Sequence, residues 1–463
     1  MEQIDKKKRN KILLVLFIGV LMGALDIAIV GPALPAIQKQ FGIDERAVAW
    51  IFATYVLFNL IGTPLMAKLA DVFGRRSLYI LDTSLFAIGS LIVALSPSFA
   101  VLIVGRAVQG FGAGGIFPVA SAVIGDTFPE EKRGGALGLI GAVFGIAFII
   151  GPALAGLLLM LSWHWLFLVN IPIALVIILM SIRLLPDTKN EIRKKFDWAG
   201  MSLLILLLAA LSVGLNQINS SDFINSLLSL NVWPFLLAAI ILLPIYKMSE
   251  SKADDPVLRL KLLASKQVVG TGIIAIGAGI TEAAVVFVPP LLVASFGITT
   301  SKASFMLIPL VLAMAVGSPL AGRMLDRLGS KIVLIAGNIL LALGMLGLAL
   351  EGATLLHFYI AGVLIGVGMG MVVGAPLRYI MLNESKPSER AAAQGAIRLF
   401  TGIGQLLGGA VVGAVASSHG GGAAGLRTAY LMVGVMAVIM FLVSFILKSR
   451  PQELATADVN NKR

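Results

Sequence analysis

The sequence predicts an all-α integral membrane protein built from two six-helix bundles plus two inserted helices, fourteen transmembrane helices in all. Of its 463 residues 58% are hydrophobic and 13% are charged, whereas a soluble domain carries about 25% charged residues. Its apolar residues form fourteen segments close to the ~20 residues of helix that cross a bilayer. This composition excludes both an ordinary cytosolic enzyme and a disordered chain.

Basic residues are distributed unevenly between the connections that join the predicted spans. With the N-terminus inside, thirty of the 36 Lys and Arg residues fall in inner segments. The positive-inside rule then predicts a multi-pass protein of the cell membrane with both termini in the cytoplasm. Because this bias accounts for the net charge of +12, we expect no nucleic-acid partner. The spans are roughly 12–34, 47–70, 77–96, 100–124, 133–160, 164–184, 197–216, 231–248, 267–290, 303–323, 331–350, 355–379, 391–416 and 428–448.

An internal repeat divides the chain. Residues 67–76 and 321–331 share an Asp, a Gly and basic residues, with Asp71 and Asp326 offset by 255. Nearly the same offset aligns three glycines in 110–114 with three in 366–370. Spans seven and eight fall outside this register, so we expect them at the periphery. The predicted domains are a first bundle (1–190), an inserted pair (191–262), a second bundle (263–450) and a cytoplasmic tail (451–463).

Several segments together resemble one transporter family. Residues 67–76 resemble the loop signature between spans two and three of the major facilitator superfamily, and 106–112 its span-four motif. Residues 141–156 resemble the span-five motif associated with antiporters. Residues 25–35 and 163–172, with fourteen spans, look like the drug:proton antiporter branch, although Ala67 and Gly31 depart from its patterns. The resemblance implies a major facilitator fold and a monomeric multidrug efflux transporter working by alternating access, associated with antibiotic resistance.

Two acids lie deep within predicted spans. Asp26 is about 14 residues, or ~21 Å, into span one, and Glu282 lies at nearly the same depth in span nine. An acid in mid-membrane costs roughly 2.5–3.5 kcal/mol on insertion scales and marks an ion path by default. In the major facilitator fold the first helix of each half lines the central cavity, so the resemblance implies that both acids face one aqueous cavity. We predict that they bind the substrate and couple transport to protons. The alternative is a structural acid that is paired with an Arg and never titrates.

Arg106 in span four is the predicted partner of Asp26, because the two residues lie at similar depths from the outer face and the resemblance implies that spans one and four are in contact. It would then share in proton coupling; the alternative is an Arg that only packs spans one and four. No counterpart of Arg106 is expected near Glu282, because Gly362 stands at its place in the second repeat. Asp82 and Arg398 lie near span ends, from which long or polar side chains can reach the interface.

Weaker candidates fall into two groups, for both of which ordinary helix packing is the alternative. The G-x-G-x-x-G pattern at 110–115 lies inside an apolar span, so it predicts close helix packing rather than a dinucleotide site. Predicted substrate contacts are Tyr55, Asn59, Gln109 and Phe287. Predicted gating residues are Asp71, Gly74, Arg75, Arg76 and Asp326 at the repeated loops, with Gly141, Gly145, Gly151 and Pro152 on span five.

Three functions remain open from the sequence. The leading one is proton-driven export of lipophilic, cationic small molecules, with protons as the coupling ion and no other cofactor. The second is export of one physiological solute or lipid-like molecule on the same fold. A channel or a membrane enzyme is disfavoured, because the chain has no Cys, only three His and no G-x-x-x-x-G-K-[ST] loop. The sequence therefore predicts neither an enzyme nor a metal site.

Overall fold

A computed structural model describes residues 5–128, 130–186, 197–219, 222–253, 265–352, 354–373, 375–385 and 390–461. The described residues form twenty α-helices. The first seven are α1 (Lys6–Phe41), α2 (Glu45–Phe73), α3 (Arg75–Ala94), α4 (Phe99–Thr127), α5 (Glu130–Leu159), α6 (His164–Leu168) and α7 (Asn170–Leu184). The next six are α8 (Trp198–Asn216), α9 (Phe223–Leu227), α10 (Trp233–Lys252), α11 (Lys266–Val286), α12 (Val288–Phe296) and α13 (Thr300–Phe305). The last seven are α14 (Ile308–Leu328), α15 (Ser330–Leu348), α16 (Leu355–Val373), α17 (Ala375–Asn383), α18 (Arg390–Ser418), α19 (Gly422–Ser444) and α20 (Arg450–Asn461).

Contacts divide these helices into two units. Unit 1 comprises Met1–Gly42, Trp50–Phe196 and Thr300–Phe305; unit 2 comprises Ile43–Ala49, Asp197–Thr299 and Met306–Arg463. In unit 1, α3 packs on α4 and α1 on α5; in unit 2, α15 packs on α16 and α11 on α18. The inserted helices α8 and α10 belong to unit 2, whereas the predicted domain boundaries made them a separate segment between the two bundles.

Thirteen helical stretches among the described residues are long and apolar enough to cross a membrane. The remaining predicted span corresponds to α5, in which the described apolar stretch is Ile150–Leu159. Of the inserted pair, α8 packs on α10 and α18. Only 17% of the apolar window of α10 is buried, against 72% for Lys266–Phe296, which fits the peripheral place predicted for this helix.

The repeated loops adopt the same backbone conformation. Gly74 and Gly329 have φ of +91° and +82°, and each is the N-cap of the following helix. Positive φ is readily accessible to glycine and strained for other residues. The glycine in each loop therefore lets one span end and the next begin without a longer connection.

The glycines of α4 and α16 also have matching neighbours. A Cβ at Gly110 would collide with the carbonyl of Tyr55, and a Cβ at Gly366 with that of Leu310. Tyr55 and Leu310 are themselves 255 residues apart. The glycines thus permit close helix approach in both units, as predicted for the 110–115 pattern, and the repeat is present in three dimensions.

Prolines interrupt predicted span nine, as the sequence indicates. Helix α11 ends at Val286 and α12 begins at Val288, so that Pro289 and Pro290 occupy its first turn. Proline fits there because the first turn needs no donor from its backbone nitrogen. The hydroxyl of Tyr430 donates to the carbonyl of Ala284 at 2.9 Å, just before the break.

Candidate transport site

Asp26 lies at the centre of a buried polar network in unit 1. Its side chain on α1 is 0% exposed. One carboxylate oxygen accepts from Nη1 of Arg106 at 2.8 Å, and the other accepts from Nε2 of Gln109 at 2.7 Å. The predicted contact between Asp26 and Arg106 is therefore present, and α4 supplies both of these partners from positions three residues apart.

Arg106 is also fully buried, and most of its guanidinium is engaged. Nε donates to the carbonyl of Ile51 at 3.0 Å, and Nη1 also donates to Oε1 of Gln109 at 2.7 Å. The cation lies over the ring of Tyr55 with 4.3 Å to the centroid. Among the described residues, Nη2 has no hydrogen-bond partner. One donor of a buried cation thus stays available for a different acceptor.

Two further residues extend the network, and neither was ranked from the sequence. Nε2 of Gln109 and Nδ2 of Asn170 both donate to Oγ of Ser90, at 2.8 Å and 3.2 Å. Ser90 and Asn170 are buried on α3 and α7. Asn170 stands in the 163–172 motif, which was a usable signal, whereas a lone Ser on α3 gave none.

Close helix packing makes this network possible. A Cβ at Gly89 would collide with the backbone nitrogen of Gln109, so glycine lets α3 approach α4 beside Ser90. Of the predicted substrate contacts, Tyr55 and Gln109 belong to the network but are buried. Asn59 is half-buried, and its carbonyl accepts the hydroxyl of Thr63 at 2.8 Å.

Glu282 lies in different surroundings in unit 2. The residue is half-buried on α11, and Oε2 accepts from Nε2 of Gln405 on α18 at 2.6 Å. Arg398 and Arg378 are close enough to interact with it electrostatically. Gly362 stands at the position equivalent to Arg106, and the two cations near Glu282 approach instead from α18 and α17. Phe287 is buried at the break between α11 and α12.

Asp26 and Glu282 differ in how far they are exposed. Asp26 is sealed by protein, which contradicts its predicted place on an aqueous cavity, because its partners on α4 enclose both oxygens. Asp82 is 0% exposed and does not reach an interface, whereas Arg398 is exposed. The expectation for Asp82 is wrong because its short side chain points into the packing between α3 and α4.

The predicted gating residues are partly described. Arg75 forms an ion pair with Asp126 at the end of α4, and Arg76 is half-buried. A Cβ at Gly151 would collide with Ala28 of α1, and the carbonyl of Pro152 accepts the hydroxyl of Ser304 at 2.8 Å. The side-chain surroundings of four predicted gating positions lie outside the described residues: Asp71, Gly141, Gly145 and Asp326.

A bundle of membrane-length helices in two repeats, with intramembrane carboxyls at equivalent places, defines the class of secondary transporters. Two stretches of the chain, residues 16–280 and 268–462, match the Major Facilitator Superfamily. The chain belongs to this superfamily and is an integral membrane transporter rather than an enzyme.

Individual relatives agree with this assignment. The chain is 34% identical over 413 residues to the uncharacterized MFS-type transporter YfiU of Bacillus subtilis, covering 88% of this chain and 80% of YfiU. It is 28% identical over 407 residues to multidrug resistance protein 3 of the same organism, covering 87% and 79%. The crystal structure of a bacterial homolog of the lysosomal transporter Spinster superposes with a TM-score of 0.68 at 18% identity, covering 95% and 97% of the two chains. That structural likeness shows the fold alone.

Proposed function

We propose that this transporter is a proton-coupled antiporter that exports lipophilic, cationic compounds by alternating access. The observation that carries the proposal is the fully buried ion pair between Asp26 and Arg106. A buried ion pair is a poor source of stability, and intramembrane charges mark ion pathways. A pair placed deep in unit 1 is therefore a reasonable coupling element.

The chemistry of the pair suggests how a proton would act. A proton on Asp26 would remove the charge that balances Arg106. A buried cation without a counter-charge is strongly unfavourable, so the guanidinium would seek another acceptor with its unpaired Nη2. Protonation of one atom would thus bias the packing of α1 against α4, the kind of two-state element that alternating access requires.

Glu282 suits substrate recognition better than Asp26 does. Glu282 as a residue is half-buried, and its one described side-chain hydrogen bond comes from a neutral amide. An organic cation could compete for such a carboxylate, whereas Asp26 is enclosed. We infer that the cation binds at Glu282, while Asp26 and Arg106 carry the coupling proton.

Other features support export rather than uptake. Multidrug resistance protein 3 is named for resistance, and residues 141–156 resemble an antiporter motif. The basic bias of the inner segments supports cytoplasmic termini in the cell membrane. We propose a monomer that needs no cofactor besides the proton, with the repeated loops around Gly74 and Gly329 contributing to gating.

Transport by reconstituted protein tests the proposal. Purified protein in liposomes is loaded with matched cationic and neutral dyes, and an acid-outside or acid-inside gradient is imposed. Antiport predicts that the dye moves opposite to the flow of protons: the loaded dye leaves the liposomes when the outside is acid and is retained when the inside is acid. Asp26→Asn should lose this dependence on the gradient. Dye movement independent of the gradient would exclude proton coupling. Transport of neither dye would favour the alternative of one specific solute.

A further inference from the structure

Asp82 is a buried acid that lies outside the hydrogen-bond network of Asp26, Arg106 and Gln109. It lies in the first half of α3, eight residues before Ser90 and so about 12 Å along the helix from the network around Asp26. The residue is 0% exposed. Among the described residues, neither of its carboxyl oxygens has a hydrogen-bond partner.

The neighbours of Asp82 close the space around it. A Cβ at Gly115 of α4 would collide with the carboxyl group, so Asp82 lies directly over that glycine. Tyr79 and Phe86, one turn to either side on the same face of α3, are also 0% exposed. The hydroxyl of Tyr79 is within electrostatic reach of Asp82, and its nearest acceptors are carbonyls of α1, with Leu16 at 3.4 Å.

No described cation balances this carboxyl. On the helices packed against α3, titratable side chains are few, and none of those described forms a hydrogen bond with Asp82. The described residues also contain no group of three or more His, Asp or Glu that could hold a metal ion. The titratable side chains described on α4, α6 and α7 are Arg106, Asp126, His164 and Arg183. Helix α1, which Tyr79 contacts, adds Lys6, Lys7, Lys8, Arg9, Lys11, Asp26 and Lys39.

The second repeat shows that the fold does not need an acid here. Gly337 of α15 stands 255 residues after Asp82, and Met371 of α16 stands 256 residues after Gly115. A Cβ at Gly337 would lie 3.0 Å from that of Met371. In unit 2 an apolar side chain from the opposite helix therefore fills the space that Asp82 fills in unit 1. Packing alone does not explain the carboxyl group.

An unpaired carboxylate sealed in a membrane helix bundle is strongly unfavourable, and the neutral acid is the form that such a place accepts. We propose that Asp82 is a proton-binding site of its own, holding a proton as a carboxylic acid separately from the Asp26 centre. Asp26 differs from Asp82 in having the guanidinium of Arg106 beside it at 2.8 Å.

Infrared spectroscopy of the full-length protein in lipid tests this proposal directly. The carboxylic C=O band is recorded near neutral pH for the wild type, for Asp82→Asn and for Asp26→Asn. We expect the wild-type band to lose one component in Asp82→Asn and to keep it in Asp26→Asn. Exchange of that component in D2O should be slow, because protein encloses the group.

A double variant guards against misfolding. Asp82→Gly combined with Gly115→Met reproduces the arrangement of Gly337 and Met371 in unit 2, so it keeps the space filled. Loss of the band component in this variant too would support the proposal. An unchanged band in either variant that remains monodisperse would overturn it. A second result would also overturn the proposal: carboxylate bands that shift when sodium replaces potassium and that are absent from Asp82→Asn. Such bands would show that Asp82 is ionised and has a bound cation. The measurement needs neither substrate nor gradient, so its outcome is independent of the proposed antiport.

Discussion

Asp26 and Glu282 occupy equivalent positions in the two repeats, 256 residues apart, yet their partners come from different helices. Asp26 is held by Arg106 and Gln109 of α4. Glu282 is held by Gln405 of α18, the counterpart of α5. Asp26 is fully buried and paired with a cation, whereas Glu282 is a half-buried residue whose carboxylate accepts from an amide and lies within electrostatic reach of Arg398 and Arg378.

The comparison shows how one repeated scaffold can separate two roles. Backbone equivalence fixes the depth of each acid, and the neighbouring side chains decide what can reach it. Under the proposed function, the enclosed Asp26 would serve the proton, and Glu282, a half-buried residue, would serve the larger cation.

The repeated loops differ in the same manner. Arg75 pairs with Asp126 of α4 in unit 1. Its equivalent in unit 2, Ser330, instead binds the carboxylate of Glu453 from the C-terminal helix α20. In unit 2, a helix outside the repeat therefore supplies the partner that α4 supplies in unit 1.

The largest expected effect separates the two acids by transport. Asp26→Asn should abolish proton-driven efflux, because an amide cannot take up and release the proton. Insertion should be unharmed, since a neutral amide is less costly in lipid than a charge. The variant leaves the buried Arg106 without its counter-charge, so a loss of stability is also expected, and efflux is compared only for variant protein that remains monodisperse. Efflux in proteoliposomes under a pH gradient measures the effect, with Glu351→Gln in an exposed turn as control. Wild-type rates in Asp26→Asn would remove this residue from the mechanism.

The second prediction compares how much Arg106 and Arg398 each contribute to the free energy of unfolding. Arg106→Met leaves the Asp26 carboxylate buried without its counter-charge, which should lower the free energy of unfolding by about 3–5 kcal/mol. Arg398→Met removes an exposed side chain near Glu282, and a loss below about 1 kcal/mol is expected. Thermal unfolding midpoints of the purified proteins test the difference.

A double variant checks the cause of that loss. Asp26→Leu combined with Arg106→Met removes both charges and should recover much of the stability, since an apolar replacement of a buried pair is often neutral. Equal destabilisation by Arg106→Met and the double variant would mean that the guanidinium matters for packing rather than for charge balance.

The sequence was sufficient for the fold because membrane-length apolar segments and the repeat are local patterns. Among the described residues, thirteen of the fourteen predicted spans reappear as helical stretches long and apolar enough to cross a membrane. The glycines at 74 and 329 adopt the turn that their spacing indicates. The contact of Asp26 with Arg106 followed from their similar depths together with the family resemblance, which places spans one and four in contact.

Side-chain partners from distant segments could not be predicted. Gln405 is separated from Glu282 by 123 residues, and only the packing of α11 on α18 brings them together. Asp82 was expected near an interface because depth along the helix says nothing about which face it occupies. Its contact with Gly115 depends on the rotation of α3 against α4.

The third prediction sharpens the division of roles between the acids. Glu282→Gln should reduce efflux of organic cations about tenfold, or about 1.4 kcal/mol, and leave matched neutral compounds less affected. The amide keeps its bond to Gln405 but offers no negative charge. Efflux of a cationic and a neutral dye of similar size distinguishes the outcomes. Equal loss for both dyes would make Glu282 a general coupling acid, and no loss for either would make it structural.

The smallest expected effect concerns the loop that α20 holds. Glu453 is 2% exposed, accepts from the backbone N–H of Ser330 at 3.2 Å, and so caps α15. Burial raises the pKa of the Glu453 carboxyl above its ordinary value of 4.5, and the hydrogen bonds from Ser330 oppose that shift. A raised pKa means that the docked helix binds the proton more tightly than the undocked helix does. Docking of α20 is therefore fully supported below pH 4.5 and weakens as the pH rises through the docked-state pKa.

Hydrogen exchange of the α20 amides across this pH range measures docking, after correction for the intrinsic pH dependence of exchange. Glu453→Gln should keep the helix docked and remove the pH dependence, because its amide is neutral and still reaches Ser330. Glu453→Ala should loosen α20 and the start of α15 by about 1 kcal/mol, the usual effect of losing a helix cap. The Arg75–Asp126 loop is the internal control, since this ion pair lies within unit 1. Protection of α20 that is independent of pH in the wild type would show that Glu453 does not titrate on docking.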